Sequence, residues 1–121
     1  MLIVLFAPPG PMAAWLEAFR TALPDDSVVA ADDSPDPAAV DVVVGGFIPA
    51  ERLHDFPNLK LIASLLAGVD RLMQADLPDV PLVRAGNPDG DAMMSEMALL
   101  HVLRHHRELP RLAAAQACLR R

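Results

Sequence analysis

The chain has few aromatic residues, one cysteine and fewer basic than acidic residues. Each of these deficits excludes or disfavours a kind of core, cross-link or partner. Aromatics make up 4% of its 121 residues and tyrosine is absent, so the core has to be aliphatic. Because Cys118 is alone, no internal disulfide can form, and a reducing compartment is the default expectation. The net charge of −6 disfavours a nucleic-acid surface, which needs a basic face. We therefore expect no nucleic-acid partner.

Long apolar runs are also lacking. No run approaches the roughly 18 residues of a membrane-spanning helix. The apolar start, Leu2–Phe6, has no basic segment before it and leads straight into prolines, so it predicts a strand rather than a signal peptide. Hydrophobic residues make up 53% of the chain, which is enough for a globular domain. We expect a cytoplasmic protein with no membrane partner.

Short apolar strands alternate with helical segments over the first two-thirds of the chain. The predicted strands are Leu2–Phe6, Ser27–Ala31, Asp41–Gly45, Leu61–Leu65 and Val80–Arg84. Apolar spacing predicts a helix over Met12–Leu23, and shorter helical segments over Pro49–Asp55 and Val69–Gln74. This alternation is typical of βαβ units. It predicts an α/β fold, a flavodoxin-like five-stranded parallel sheet with helices on both faces.

A long helix is predicted in the last third, over about Asp91–Glu108, with Asp89 or Asp91 as its cap. Leu109 and Pro110 end it, and a further helix begins at Arg111. Apolar residues from Met93 to Leu103 leave almost no polar stripe on the long helix. A helix that is apolar all round is buried on all sides. We expect its second face to meet another domain or another subunit.

The usual ligands of such a sheet need residues that this chain lacks. A phosphate loop after the first strand needs amide donors, but residues 7–11 include three prolines, which have no N–H. A phospho-receiver domain needs an Asp at the end of the third strand, whereas Asp41 stands at its start. No spacing among the six glycines fits the Gly-x-Gly-x-x-Gly pattern of a dinucleotide site.

The turn at Ala67-Gly68 is the remaining candidate site. It follows a buried strand and precedes a helix, so its free backbone N–H groups could hold a carboxylate or phosphate. The alternative is that Gly68 merely supplies a tight turn, with Asp70 favourable in the first helical turn. Phe47 also has two possible interpretations, either as a core side chain or as a side chain that covers the turn. His101 and His105 have metal-ligand spacing but no third ligand beside them, so we expect no metal site.

Two stretches carry a family resemblance. Residues 57–72, PNLKLIASLLAGVDRL, and residues 77–110, LPDVPLVRAGNPDGDAMMSEMALLHVLRHHRELP, resemble the first part of the D-isomer-specific 2-hydroxyacid dehydrogenases, in particular the glyoxylate/hydroxypyruvate reductase group. The resemblance implies that the amides of Ala67 and Gly68 hold a substrate carboxylate, a small 2-oxo or 2-hydroxy acid. It also implies that Phe47 lies near the substrate and Met94 near the nicotinamide.

The resemblance further implies two domains, a substrate-binding domain over 1–88 and a crossover and dimerisation helix with the start of the next helix over 89–121. The family's dinucleotide motif and catalytic residues lie beyond Arg121, so we expect no catalytic residue, no bound NAD or NADP and no activity from this chain alone. The alternative function is a non-catalytic flavodoxin-like module that self-associates through Met93–Leu103. Both readings predict a homodimer or a higher oligomer.

Overall fold

The computed structural model describes residues 1–8 and 10–119. Pro9 of the predicted first loop, and the last two residues of the predicted final helix, lie outside the described residues. The chain divides into two units, Met1–Gly86 and Asn87–Arg121, each of which is described by itself.

The first unit contains a parallel sheet that comprises five strands among the described residues. The strands are β1 Leu2–Phe6, β2 Ser27–Ala30, β3 Val42–Gly45, β4 Leu61–Ser64 and β5 Leu82–Arg84. Their order is β2-β1-β3-β4-β5, and every neighbouring pair is parallel. This is the flavodoxin-like order, with its reversal between β1 and β3. The predicted α/β fold is confirmed, and each predicted strand lies within two residues of its place.

One helix, α1 (Met12–Ala22), covers one face of the sheet. Its Trp15, Leu16 and Phe19 pack on strand residues that alternate along the chain, among them Ile3 and Leu5 of β1. Val42 and Val44 of β3 belong to the same cluster. The apolar spacing at three and four residues therefore forms the helix face predicted from the sequence.

Short helical segments cover the opposite face. They are the 3₁₀ segments Ala31–Asp33 and Ala50–Asp55, and the single-turn helix α2, Asp70–Met73. A further 3₁₀ segment, Pro37–Ala39, is exposed. Leu53, Phe56 and Leu72 are buried there against Val43 and Ile62 of the sheet. Helical cover on both faces is confirmed, but much of it on this face is 3₁₀. All four residues of β3 are buried, as a strand covered on both faces requires.

The second unit contains α3 (Pro88–His106) and α4 (Leu109–Leu119). The cap of α3 is Asn87, whose side chain accepts a bond from the Gly90 N–H at 3.1 Å, so the prediction of Asp89 or Asp91 was wrong. Pro88 explains the difference, because proline is favoured as the first helical residue and places the cap just before itself. Glu108 separates the two helices with a φ of 51°. Pro110 lies in the first turn of α4, where its missing N–H is tolerated.

The description of α3 as apolar all round was wrong. Asp91, Ser95, Glu96 and His101 interrupt its surface, and no helix in the described residues is long and apolar enough to cross a membrane. Its large apolar side chains are exposed in this chain, with exposed fractions between 46% and 71% from Met93 to Leu103. The predicted burial of the helix on all sides is therefore not found in the chain itself.

The amino ends of the strands are fastened by Asp41, directly before β3. Its carboxylate accepts the Leu2 N–H at 2.9 Å and pairs with the Lys60 ammonium at 2.6 Å. The hydrogen bond from Lys60, followed by that from Leu2, lowers the pKa of Asp41 below its ordinary value. Asp41 thus joins β1, β3 and the segment that enters β4.

Replacing Gly45 with alanine should destabilise the first unit. A methyl group there would lie 2.5 Å from the Phe6 carbonyl oxygen and 2.9 Å from Ile48 Cγ1, so backbone would have to move. We expect a loss of roughly 2–3 kcal/mol in the free energy of unfolding, measured with urea. Gly86→Ala is the control, since nothing lies within 4 Å of its added methyl group. Equal stabilities of the two variants would contradict the packing described.

Asp41→Asn should lower stability at neutral pH. Because the folded-state pKa of Asp41 is lowered, its contribution is complete above the unfolded pKa and is lost as the pH falls through the folded value. Urea unfolding at pH 7 and at successively lower pH should show the two proteins converging. Asp79→Asn is the control, because Asp79 is exposed and has no hydrogen bond or ion pair among the described residues. A constant difference across the pH range would exclude this origin.

Candidate functional site

The carboxyl ends of the parallel strands meet at one edge of the sheet and form a cleft of about 740 Å³. Phe6 at the end of β1, Gly46 after β3 and Ser64 at the end of β4 all line it. Gly68, in the turn that follows β4, lines it as well. In open α/β sheets ligands bind outside the carboxyl ends of the strands, close to the point where strand order reverses. The cleft is therefore the candidate site.

Ser64 shapes the turn after β4. It is 2% exposed, its hydroxyl accepts the Leu66 N–H at 3.2 Å, and it lies 3.3 Å from the Leu66 carbonyl oxygen. A serine that bonds to backbone two residues further on replaces a sheet ladder with a turn. The turn-forming role of Ser64 has a sequence signal, a serine that closes a buried apolar strand.

Arg84 fixes the peptide between Ala67 and Gly68. Its Nη1 donates to the Ala67 carbonyl oxygen at 2.8 Å from the end of β5. This peptide is trans and planar, so the Gly68 N–H points away from the carbonyl that Arg84 holds. Within residues 1–8 and 10–119 neither Ala67 nor Gly68 has a hydrogen-bond acceptor for its N–H. A cation on the carbonyl also polarises the peptide and strengthens its N–H as a donor.

Gly68 is not required by the conformation of the turn. Its φ lies outside the left-handed region, and the nearest atom to an added Cβ is Asp70 Oδ2 at 4.0 Å. The alternative that Gly68 merely supplies a tight turn therefore loses its physical basis, because another residue would fit. What glycine provides here is open space above an unpaired N–H at the wall of a cleft.

The helix after the turn is shorter than predicted, so its dipole contributes less to anion binding. The sequence predicted Val69–Gln74, but α2 is a single turn over Asp70–Met73. Its dipole is correspondingly small, so attraction for an anion would come from the turn amides. The Asp70 carboxylate lies beside Gly68 and lines the cleft, where it would repel an anion. Affinity for a carboxylate is therefore expected to be low.

Phe47 lies on the wall of the cleft with 63% of its surface exposed. Its N–H donates to the Ala7 carbonyl oxygen at 3.3 Å, which joins the segment after β3 to the end of β1. Of the two positions predicted for Phe47, the core is excluded by this exposure. Its contact with a substrate stays a prediction.

The other predicted contacts are placed differently. Ala67 lies in the turn but is not among the residues that line the cleft, although its carbonyl holds Arg84. Met94 belongs to the second unit, on α3, with 71% of its surface exposed. Its role as a cofactor contact stays a prediction. Among the described residues, no group of three His, Cys, Asp or Glu side chains could hold a metal ion.

Comparison with known proteins finds no matching family model and no matching curated protein. Solved structures do match. One, a D-isomer-specific 2-hydroxyacid dehydrogenase from Xanthobacter autotrophicus Py2 in complex with NADPH and MES, has a TM-score of 0.76, 35% identity and 96% of this chain covered. Another structure of such an enzyme from the same organism has a TM-score of 0.62, 32% identity and the same coverage. This chain is a relative of the D-isomer-specific 2-hydroxyacid dehydrogenases.

The chain spans 39% and 38% of the two chains that it matches. The identities of 35% and 32% confirm, at the level of the dehydrogenase family, the resemblance expected from residues 57–72 and 77–110. The relative's NADPH belongs to a chain more than twice as long.

Proposed function

We propose that this chain is the substrate-binding portion of an NAD(P)-dependent 2-hydroxyacid dehydrogenase, a reductase of 2-oxo acids such as glyoxylate or hydroxypyruvate. The observation that carries the proposal is the Gly68 N–H, unpaired among the described residues, at the wall of the cleft with its peptide held by Arg84. A substrate carboxylate accepts hydrogen bonds from the N–H groups of Gly68 and Ala67, which orients the acid toward the cleft. Phe47 at the cleft wall limits the access of water.

The residues of this chain do not fit a nicotinamide cofactor by themselves. The glycines lack the spacing that brings backbone close to a pyrophosphate. When bound to a complete enzyme, the cofactor supplies the hydride for 2-oxo acid reduction. We therefore assign this chain binding and orientation of the acid, with Met94 as a proposed cofactor contact, and propose that it is inactive alone.

The carboxylate site should be detectable by NMR titration with glyoxylate. Charge-assisted bonds from two amides are worth roughly 1.5–3 kcal/mol each before the repulsion by Asp70, which corresponds to millimolar binding. We expect the amide signals of Ala67 and Gly68 to shift with a common dissociation constant. Gly68→Val should abolish these shifts by filling the space over the amide, while the free energy of unfolding stays within about 0.5 kcal/mol.

Gly86→Val is the matched control for that titration. Its added side chain also meets open space, but Gly86 does not line the cleft. It should bind glyoxylate as the unaltered protein does. Absence of any shift at tens of millimolar glyoxylate, or unaffected binding by Gly68→Val, would refute the carboxylate site.

A second function, self-association, is favoured by the exposed apolar surface of α3. Met93, Met97 and Leu100 repeat at spacings of four and three residues, with exposed fractions of 69%, 51% and 56%. Side chains so spaced lie on one helix face. We propose that this face packs against a second copy of the chain, because contiguous exposed apolar surface marks an interaction site.

Light scattering at micromolar concentration tests the self-association. We expect a dimer or a higher oligomer, and we expect the double variant Met97→Glu, Leu100→Glu to be monomeric, because two carboxylates would be desolvated in the interface. Met73→Glu is the control, since Met73 is a similarly exposed methionine in the first unit, at 71%. A monomeric unaltered protein, or an equal effect of the control, would overturn the assignment.

A further inference from the structure

Arg52 is a cation on the wall of the cleft to which the proposed function gives no role. It belongs to the 3₁₀ segment Ala50–Asp55, which is held in the core by the fully buried Leu53 and followed by the buried Phe56. Its guanidinium carbon lies 5.2 Å from the centre of the Phe6 ring. Such a cation–π contact holds the charged group at a fixed place over the end of β1.

The charge of Arg52 is uncompensated in the described part of the chain. Three carboxylates, those of Asp32, Glu51 and Asp70, line the same cleft, and none of them forms an ion pair with Arg52. The Arg52 guanidinium also makes no hydrogen bond to another described residue, and only the backbone N–H of Arg52 is paired, with the Pro49 carbonyl oxygen at 3.1 Å. Its donors, which suit a carboxylate in a bidentate arrangement, are thus free for a ligand.

The cleft is also larger than a two-carbon acid needs. A volume of about 740 Å³ lies in the range of roughly 300–1,000 Å³ that accommodates ligands of many atoms. Glyoxylate held at Gly68 would leave most of this space empty. A longer acid would extend along the cleft, whose wall also contains Arg52.

We propose that Arg52 determines specificity by binding a second carboxylate at the far end of the substrate. The cleft then prefers a 2-oxo diacid to a 2-oxo monoacid of the same length. This inference rests on the proposed function, because it requires the first carboxylate to be held at Gly68. Arg71 also lines the cleft, but no contact in the described residues fixes its guanidinium, so we assign the recognition to Arg52.

The test compares 2-oxoglutarate with 2-oxopentanoate, which have five carbons each and differ in the terminal carboxylate. Dissociation constants come from NMR titration of the full chain, followed at the Gly68 amide and the Arg52 Nε–H. We expect 2-oxoglutarate to bind roughly tenfold more tightly, as one charge-assisted contact allows. Arg52→Met, which keeps the stem over Phe6 and removes the charge, should reduce the ratio to about one.

Two further variants make the result decisive. Arg71→Met should keep the preference for the diacid, and Arg52→Lys should keep part of it, because the charge remains without the planar fork. The amide spectrum of each variant reports whether its fold is intact, and Arg52→Lys decides if Arg52→Met is disturbed. Equal affinities for the two acids, or equal losses in Arg52→Met and Arg71→Met, would overturn the proposal. Failure of every acid, glyoxylate included, to shift the Gly68 amide would instead refute the proposed function.

Discussion

Burial of β1 and β3 on both faces is the constraint on which the rest of this structure depends. Val4, Leu5 and Val43 are almost or completely inaccessible, so both faces of the sheet must be covered by other segments. Helix α1 covers one face and the 3₁₀ segments cover the other. Because the crossovers keep every strand parallel, all the carboxyl ends lie at one edge. The cleft exists at that edge for this reason.

The opposite edge and the cleft edge use polar groups in different ways. At the amino ends, the Asp41 carboxylate is paired with Lys60 and the Leu2 N–H, and these contacts join neighbouring strands. At the carboxyl ends, Arg84 donates to the Ala67 carbonyl oxygen. The Gly68 N–H and the Arg52 guanidinium have no hydrogen-bond partner in the described residues. The unpaired donors at the cleft are the basis of the proposed site for an acidic ligand, whereas the paired groups hold segments of the fold together.

The sequence predicted the strands well because buried parallel strands are short apolar runs bounded by turn residues. It was less accurate where two signals competed. The Asn87-Pro88 pair marks the start of α3 more strongly than the acidic residues after it. Strand β4 ends at Ser64, one residue before the predicted end at Leu65. The 3₁₀ segments over β3 and β4 have no simple periodicity, so their nature could not be read from spacing.

The sequence by itself determined the fold class, the family resemblance and the candidate turn at Ala67-Gly68, because each depends on residues that are close together along the chain. Tertiary structure decided the rest. The contact of Arg84 with Ala67 spans 17 residues, and the contact of Arg52 with Phe6 joins the connection between β3 and β4 to the end of β1. The open space at Gly68 likewise depends on what surrounds it in three dimensions. These features follow from the parallel order of the strands, which brings distant residues to one edge of the sheet.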